Sequence, residues 1–312
     1  MTAEIFTTTE QGFAVTGLRQ AGVELALVPA LGGRVISLRN TRTGREWCWH
    51  QPRPDWLWRN GPADDFGRSP QAGMDECVPT VAACTWRGRA IPDHGEVWNR
   101  AWTLDAAELA AGRLSATVPL GVSPLVFERS IGAGGPGAFI FNYTLRNTGP
   151  VPEEYLWCAH PLLAIAAGDR LVLPPEVATL RLDGGVGDRP IQRGDTWAYP
   201  EPFPGCRLDR FETPGMPRGC VKGFAGPLCP GLAVAAIANE ATGDRLEVRW
   251  DTQVNRYLGL WLNRGHVRFH HVALEPTNGA PDSLAEAVGS WKQFSLIPAG
   301  GTVRWSVEWH VA

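Results

Sequence analysis

Four segments of this chain concentrate side chains that can transfer protons or bind polar ligands. GMDECVPT contains Asp75 and Glu76, IPDHGEVW contains His94, LWCAHPLL contains His160, and HHVALEP contains Glu275. Carboxylates and imidazoles are the common general bases and acids of enzymes. The four segments therefore indicate acid–base chemistry, with structural roles as the alternative for each residue.

The HHVALEP segment has the alternation of a β-strand. Val272 and Leu274 are apolar, and His271 and Glu275 stand on the other positions. Side chains of a strand point alternately to opposite faces, so Glu275 is expected on the face opposite Leu274. In a cleft such a carboxylate can be tuned for proton abstraction. A solvated charge at a strand end is the other interpretation.

The histidines raise the question of a metal site. His160 ends an apolar run and precedes Pro161, which is also compatible with a buried structural histidine. The chain has no HExxH or HxH spacing, and His270 and His271 would face opposite ways on a strand. We therefore predict no metal ion and no cofactor.

The elements that must position these groups are mostly strands. Alternating or apolar runs bounded by turn residues predict strands, and the clearest are 23–30, 125–131, 138–147, 232–239, 245–250, 257–263, 269–276 and two at the C-terminus. Only Asp105–Ala111 and Asp282–Val288 favour short helices, the second with Asp282 as its N-cap. Residues 181–226 are rich in Gly and Pro and predict long loops over one rim. Without βαβ alternation, the fold class is all-β, a large antiparallel β-sandwich formed by residues 1–312 as one domain.

Composition limits the classes of partner. The 312 residues carry a formal net charge of −3 without a block of like charges, which argues against a nucleic-acid or membrane-surface partner. Neither a signal peptide nor a membrane span is predicted, and the seven cysteines show no CxxC spacing. These features predict reduced cysteines and a cytoplasmic protein. The 14 tryptophans suit a core and flat walls for a sugar.

Together the four segments, in their order along most of the chain, resemble the galactose-mutarotase-like superfamily of aldose 1-epimerases. VELALVPALGGRVISLRN is similar to the opening strands and GG turn of that family, and LGLWLN…HHVALEPTNGAPDS is similar to the segment with its catalytic glutamate. The resemblance implies that Glu275 takes the proton from the anomeric hydroxyl while His160 protonates the ring oxygen. It also implies that His94, on a turn that Gly95 lets pass near the ligand, hydrogen-bonds the sugar.

The remaining site predictions concern binding. Trp98, Trp157 and Trp261 are candidates for stacking against a sugar, with Trp261 retained as a substrate-binding residue. Asp75 and Glu76 are candidate ligand-binding carboxylates. Arg34 and Lys222 are candidates for holding a phosphate, whereas Glu96, which follows Gly95, would repel one.

The implied function is an isomerase that interconverts sugar anomers. One alternative is a carbohydrate-binding protein without turnover on the same sandwich. Another is a glycan hydrolase or lyase, which would usually need two carboxylates around the bond. The sequence identifies neither the sugar nor the oligomeric state.

Overall fold

The computed structural model describes residues 3–61, 64–187, 190–211 and 219–312. Every pairing between strands in these ranges is antiparallel. In chain order the strands are β1 (Glu4–Glu10), β2 (Phe13–Gln20), β3 (Val23–Val28), β4 (Arg34–Asn40), β5 (Met74–Cys77), β6 (Cys84–Trp86), β7 (Arg89–Ile91), β8 (Leu114–Pro119), β9 (Leu125–Ala133), β10 (Ala138–Asn147), β11 (Glu153–Tyr155), β12 (Cys158–Pro161), β13 (Asp169–Val172), β14 (Thr179–Gly187), β15 (Thr196–Ala198), β16 (Gly219–Ala225), β17 (Leu232–Asn239), β18 (Arg245–Asp251), β19 (Tyr257–Arg264), β20 (His270–Thr277), β21 (Ser295–Ile297) and β22 (Thr302–Val311).

Two large sheets form a sandwich. Within the described ranges, the first has the order β1-β2-β3-β4-β5-β12-β20-β19-β16-β14-β15, and the second has the order β13-β17-β18-β22-β10-β9-β8. One apolar cluster joins them, with Leu25 and Leu260 from the first sheet and Phe127 and Trp309 from the second. The prediction of an all-β antiparallel sandwich is confirmed.

Alternation along the strands explains why they face this core. In β22, Trp305, Val307, Trp309 and Val311 are buried, while the residues between them are partly exposed. Burying the side chains of one strand face removes apolar surface from water, which stabilises the fold by about 25 cal/mol for each Å² buried. The same period of two fixes which side chains of the first sheet point outward, away from the second sheet.

The helical predictions succeed in part. Helix α1 (Ala106–Ala110) begins at Asp105, whose carboxylate accepts hydrogen bonds from the Ala107 and Glu108 amides. Helix α2 (Leu284–Glu286) lies in the second predicted segment and continues into one π-helical turn, Ala287–Trp291. Its N-cap is Ser283, so the prediction of Asp282 at that position is wrong. The Asp282 carboxylate instead lies beside Lys222.

The Gly- and Pro-rich region is more regular than predicted. Strands β14, β15 and β16 occupy much of 181–226, because a chain lying along a sheet edge can use its backbone hydrogen bonds despite many glycines. Residues 188–189 and 212–218 of that region lie outside the described residues.

None of the described helices has the length and apolarity needed to cross a membrane. Cys48, Cys77, Cys84, Cys158, Cys220 and Cys229 are free thiols.

Candidate active site

The register of three neighbouring strands brings the sequence segments together. β12 pairs with β5 so that His160 lies opposite Asp75. On its other side β12 pairs with β20, with Cys158 opposite Thr277. Because the strands are antiparallel, the same register places His160, two residues after Cys158, opposite Glu275, two residues before Thr277. His160 and Glu275 therefore project side by side from the outer face of the first sheet.

A cavity of about 490 Å³ opens over this face. Four residues predicted from the sequence line it together, namely His94, His160, Lys222 and Glu275, with Trp261 in its wall. Asp65, Asp93 and Asp282 add carboxylates to the lining. The cavity thus combines acids, imidazoles and an indole, the groups expected for a polar ligand with apolar faces.

Glu275 is the most deeply buried of the charged groups. Its side chain has no exposed surface, and Oε2 accepts a hydrogen bond from the Lys222 ammonium. Its Oε1 has no hydrogen-bond partner among the described residues. A buried carboxylate with one oxygen held by a cation and the other oxygen free is arranged to accept a proton from a ligand.

Lys222 bridges two carboxylates. Its Nζ lies 3.3 Å from Asp282 Oδ1 in addition to its contact with Glu275. Burial alone would lower the pKa of Lys222, but the two carboxylates raise it, so the ammonium stays charged. Burial raises the pKa of Asp282 to about 6 against the opposing attraction of Lys222. Lys222 is therefore neutralised within the site rather than free to pair with a ligand.

A glycine makes the contact between Lys222 and Glu275 possible. β19 runs between the strands that carry them, and its Gly259 is the register partner of Glu275. A Cβ on Gly259 would stand 2.5 Å from Glu275 Oε2. The missing side chain leaves the space in which the carboxylate lies across the intervening strand.

The two histidines contact each other at the floor of the cavity. The rings of His94 and His160 are edge-to-face with centroids 4.7 Å apart, and Phe66 stacks on His94 at 4.0 Å. His94 Nδ1 lies 3.1 Å from Asp93 Oδ2. His160 has no such carboxylate partner, and its Nδ1 makes no hydrogen bond among the described residues.

The environment of His160 favours the neutral imidazole. Burial is the main cause that holds its pKa well below the usual value, and the neighbouring Lys222 ammonium acts in the same direction. His160 is 8% exposed. In the free protein at neutral pH it is therefore an uncharged imidazole, and its protonated form, which exists mainly at lower pH, is a better proton donor than an ordinary imidazolium.

Backbone strain positions His94. Its φ is +58°, in the left-handed region, and its amide donates to the Val81 carbonyl over 2.5 Å. Gly95 follows with φ +76°, and a Cβ there would stand 2.2 Å from the Val78 carbonyl oxygen. Gly95 is thus needed for the contact with Val78, which corrects the expectation that it makes room for the ligand.

Only one of the three candidate stacking tryptophans lines the cavity. Trp261 forms part of the wall and donates from Nε1 to His271 Nε2 at 3.2 Å. Burial, then the charge of His270, lowers the pKa of His271 to about 3, so that imidazole is neutral. Trp98 and Trp157 are core residues, each almost fully buried.

Arg34 and Asp75 lie beside the site but do not line the cavity. The Arg34 Nε donates to Asp75 Oδ1 at 2.8 Å, and both side chains are almost completely buried. The prediction that they bind a ligand is therefore not supported, because the two side chains pair with each other and neither lines the cavity. Arg34 borders a second cavity of about 620 Å³ beyond Trp98, whose described lining contains no carboxylate and no imidazole.

Glu76 points into the sandwich. Because it alternates with Asp75 along β5, its carboxylate lies on the core face. There it accepts hydrogen bonds from Arg129, Tyr143 and Trp157. These bonds satisfy a buried charge inside the core, and the prediction of Glu76 as a ligand-binding residue is wrong.

Glu96 also has a structural role. It is 2% exposed, and its two oxygens accept hydrogen bonds from the Val122 and Ser123 amides at 2.5 and 3.1 Å. Its carboxylate holds the turn between β8 and β9 and is absent from the cavity lining. The expectation that Glu96 faces a bound phosphate is therefore wrong.

Sequence reasoning missed several cavity groups, among them Asp65, Asp93, His271 and Asp282. Asp93 and His271 lie within the four segments, but no spacing rule assigned them to the site. The alternation of HHVALEP did place His271 on the face of Glu275, which was the one available signal.

These features define an antiparallel β-sandwich with an acid–base cleft on the outer face of one sheet. No protein-family model matches the chain, and no curated protein matches it either. Solved structures do match over almost the whole chain. One is a protein from Klebsiella pneumoniae provisionally assigned as an aldose 1-epimerase, with TM-score 0.69, 15% identity, and coverage of 99% of this chain and 83% of that one.

Two further structures are described as galactose mutarotase-like proteins. The one from Lactobacillus casei has TM-score 0.65 and 14% identity, covering 99% of this chain and 100% of its own. The one from Clostridium acetobutylicum has TM-score 0.64 and 12% identity, covering 100% and 99%. At this identity the likeness establishes the fold, and the chain has the galactose mutarotase-like sandwich predicted from its segments.

Proposed function

We propose that the protein is an aldose 1-epimerase-like isomerase, in which Glu275 acts as the base and His160 as the acid. The observation that carries this proposal is the pairing of β12 with β20, which sets His160 opposite Glu275 under one cavity. Mutarotation needs one group to accept the proton of the anomeric hydroxyl and another to protonate the ring oxygen.

The steps follow from the free positions of the two groups. Glu275 Oε1 takes the proton of the anomeric hydroxyl while protonated His160 donates to the ring oxygen, and the C1–O5 bond breaks to give the open aldehyde. Rotation about C1–C2 exposes the other carbonyl face. Return of both protons closes the ring as the other anomer, so no atom is gained or lost. His94 and Trp261 hold the sugar by hydrogen bonding and stacking.

The charge of the cavity favours a sugar without phosphate. Lys222 is the only lysine or arginine among the described lining residues, and Glu275 and Asp282 already neutralise it. Asp65 and Asp93 add negative charge to the wall. A phosphate here would meet carboxylates without a free cation, at a cost on the order of 1–4 kcal/mol for a charge pair at ~4 Å.

Exchange NMR of the anomers of free aldoses tests the proposal. The parent protein should accelerate exchange beyond the rate in buffer for at least one sugar. Glu275→Gln keeps the shape of the side chain and should lower the rate at least ~10²-fold, the lower end for a general base. His160→Asn should lower it similarly. Glu247→Gln, a matched change in the second sheet, should leave the rate unchanged.

The same experiment separates the enzyme from a sugar-binding protein. Glu275→Gln can still hydrogen-bond a hydroxyl, so binding measured by calorimetry should survive. If parent and Glu275→Gln exchange anomers equally fast but both bind the sugar, the protein binds carbohydrate without turnover. The carboxylates that the sequence offered as partners of Glu275 in a hydrolase, Asp75 and Glu76, do not line the cavity.

A further inference from the structure

Three soft or borderline donor atoms converge under the cavity. Cys77, His94 and His160 each offer one ligand atom, and these atoms lie within 4.8 Å of one another. Cys77 lies in a different segment of the sequence from either histidine, so spacing alone does not predict it as a ligand. Cys77 on β5 faces Cys158 on β12, and alternation along β12 puts His160 on the same sheet face as Cys158.

The orientation of the histidines suits a metal ion. His94 Nδ1 lies 3.1 Å from Asp93 Oδ2 without completing a hydrogen bond, and closing that contact would leave Nε2 as the ligand atom. Metal-binding histidines commonly have such a carboxylate on their second nitrogen, because it fixes the ring and increases its basicity. His160 is more than nine-tenths buried, and its Nδ1 has no hydrogen-bond partner among the described residues. An unsatisfied buried nitrogen gains a partner when a cation binds.

We propose that Cys77, His94 and His160 form an inhibitory Zn²⁺ site. One thiolate with two imidazoles is a donor set that Zn²⁺ accepts, with water completing a tetrahedron. Bond lengths of about 2.0–2.3 Å put tetrahedral donors about 3.5 Å apart, so the cluster must contract by about 1 Å. His94 can supply this movement, because it stands on a turn outside the sheet.

Binding releases one proton. The Cys77 thiol loses its hydrogen to solvent as the S–Zn bond forms, and both imidazoles bind through neutral nitrogens. Because the thiolate rather than the thiol is the ligand, Zn²⁺ should bind more weakly as the pH falls.

Zinc and sugar should exclude each other. His94 and His160 cannot ligate a metal and also serve a sugar, so Zn²⁺ at this site would block the cleft. This consequence rests on the proposed function, whereas the metal site itself does not. It is compatible with a reaction that needs no metal ion.

Titration of the metal-free full-length protein with Co²⁺ tests the site directly. A tetrahedral site with one thiolate should give a sulfur-to-cobalt charge-transfer band that Zn²⁺ abolishes at one equivalent. Cys77→Ala should remove the band and weaken Zn²⁺ binding at least ~10-fold, the low end for losing even an outer-shell partner. Cys48→Ala is the matched control, since Cys48 is a buried thiol outside the cluster, and it should retain the band.

His94→Ala protects the test against a Cys77 variant that fails to fold. It changes a less buried side chain and should also weaken Zn²⁺ binding at least ~10-fold. No charge-transfer band in the parent, or an unchanged band in Cys77→Ala, overturns the site. Zn²⁺ that binds the parent without slowing anomer exchange overturns the inhibition alone. A protein inactive on every aldose leaves the cobalt result intact and refutes only the proposed function.

Discussion

Removing the Lys222 ammonium isolates two buried carboxylates, which makes Lys222→Met a sharp test of the site electrostatics. Met keeps the length and apolar volume of the side chain but cannot pair with Glu275 or Asp282. Leaving a buried ion without its partner costs about 3–5 kcal/mol in other proteins. Lys222 is 7% exposed next to an open cavity, so we expect the lower end, about 3 kcal/mol.

The destabilisation should depend on pH. In the variant, Asp282 loses the attraction of Lys222 that opposes the effect of burial, so its folded-state pKa stands further above the pKa of the unfolded chain. A raised carboxyl pKa contributes stability at low pH that is lost as the pH rises. The variant should therefore lose more stability relative to the parent at about pH 8 than at about pH 5.

Chemical denaturation at both pH values measures this difference, with thermal scans as a check. A loss of about 3 kcal/mol should lower the Tm of a chain of 312 residues by about 4–5 °C. Arg113→Met breaks an exposed ion pair with Glu108 and should leave the stability almost unchanged. Adding Glu275→Gln to Lys222→Met should restore part of the stability. Equal stability of Lys222→Met and the parent at both pH values would refute the reasoning.

Four further outcomes follow from the same structure. The alkaline limb of the exchange rate should lie below about pH 6.5, because burial lowers the pKa of His160; a limb at or above ~6.5 would assign the donor role to His94. Unfolding free energy should fall as pH rises from about 4 through about 6, because the folded-state pKa of Asp282 is raised to about 6, and denaturation of Asp282→Asn should show a flatter dependence. Calorimetry should show weaker binding of an aldose 6-phosphate than of the free aldose, and the reverse order would contradict the charge argument. Gly95→Ala should destabilise the protein by at least about 1–3 kcal/mol in denaturant, since its Cβ meets the Val78 carbonyl, and a neutral result would show that the turn can shift.

The strand pattern of the sequence predicted the sheets well where alternation is strong. β10 and β17 have the bounds expected from their runs, and β20 differs from its run by one residue at each end. Strands rich in glycine or proline, such as β14, were missed because their stability comes from pairing with neighbours rather than from local side-chain pattern.

The site was predictable only to the level of its segments. Alternation put Glu275 on the outer face, but Glu76 was assigned to the ligand although its neighbours in the fold are Arg129 and Tyr143. Nothing in a one-dimensional pattern shows that β5 lies over the second sheet at that point. The partners of a buried charge are set by tertiary contacts, so the roles of Arg34 and Glu96 were equally inaccessible.

Gly259 has a consequence for how this cleft can be altered. A substitution of Glu275 or Lys222 removes a polar group and also breaks the ion pair between them, so its two effects cannot be separated. A single methyl group at position 259 would instead push Glu275 Oε2 away from Lys222 without replacing any polar side chain. The size of the residue at position 259 thus sets the distance between Glu275 and Lys222. Substitutions of Gly259 can therefore change the charge pairing in the cleft while the polar residues keep their identity.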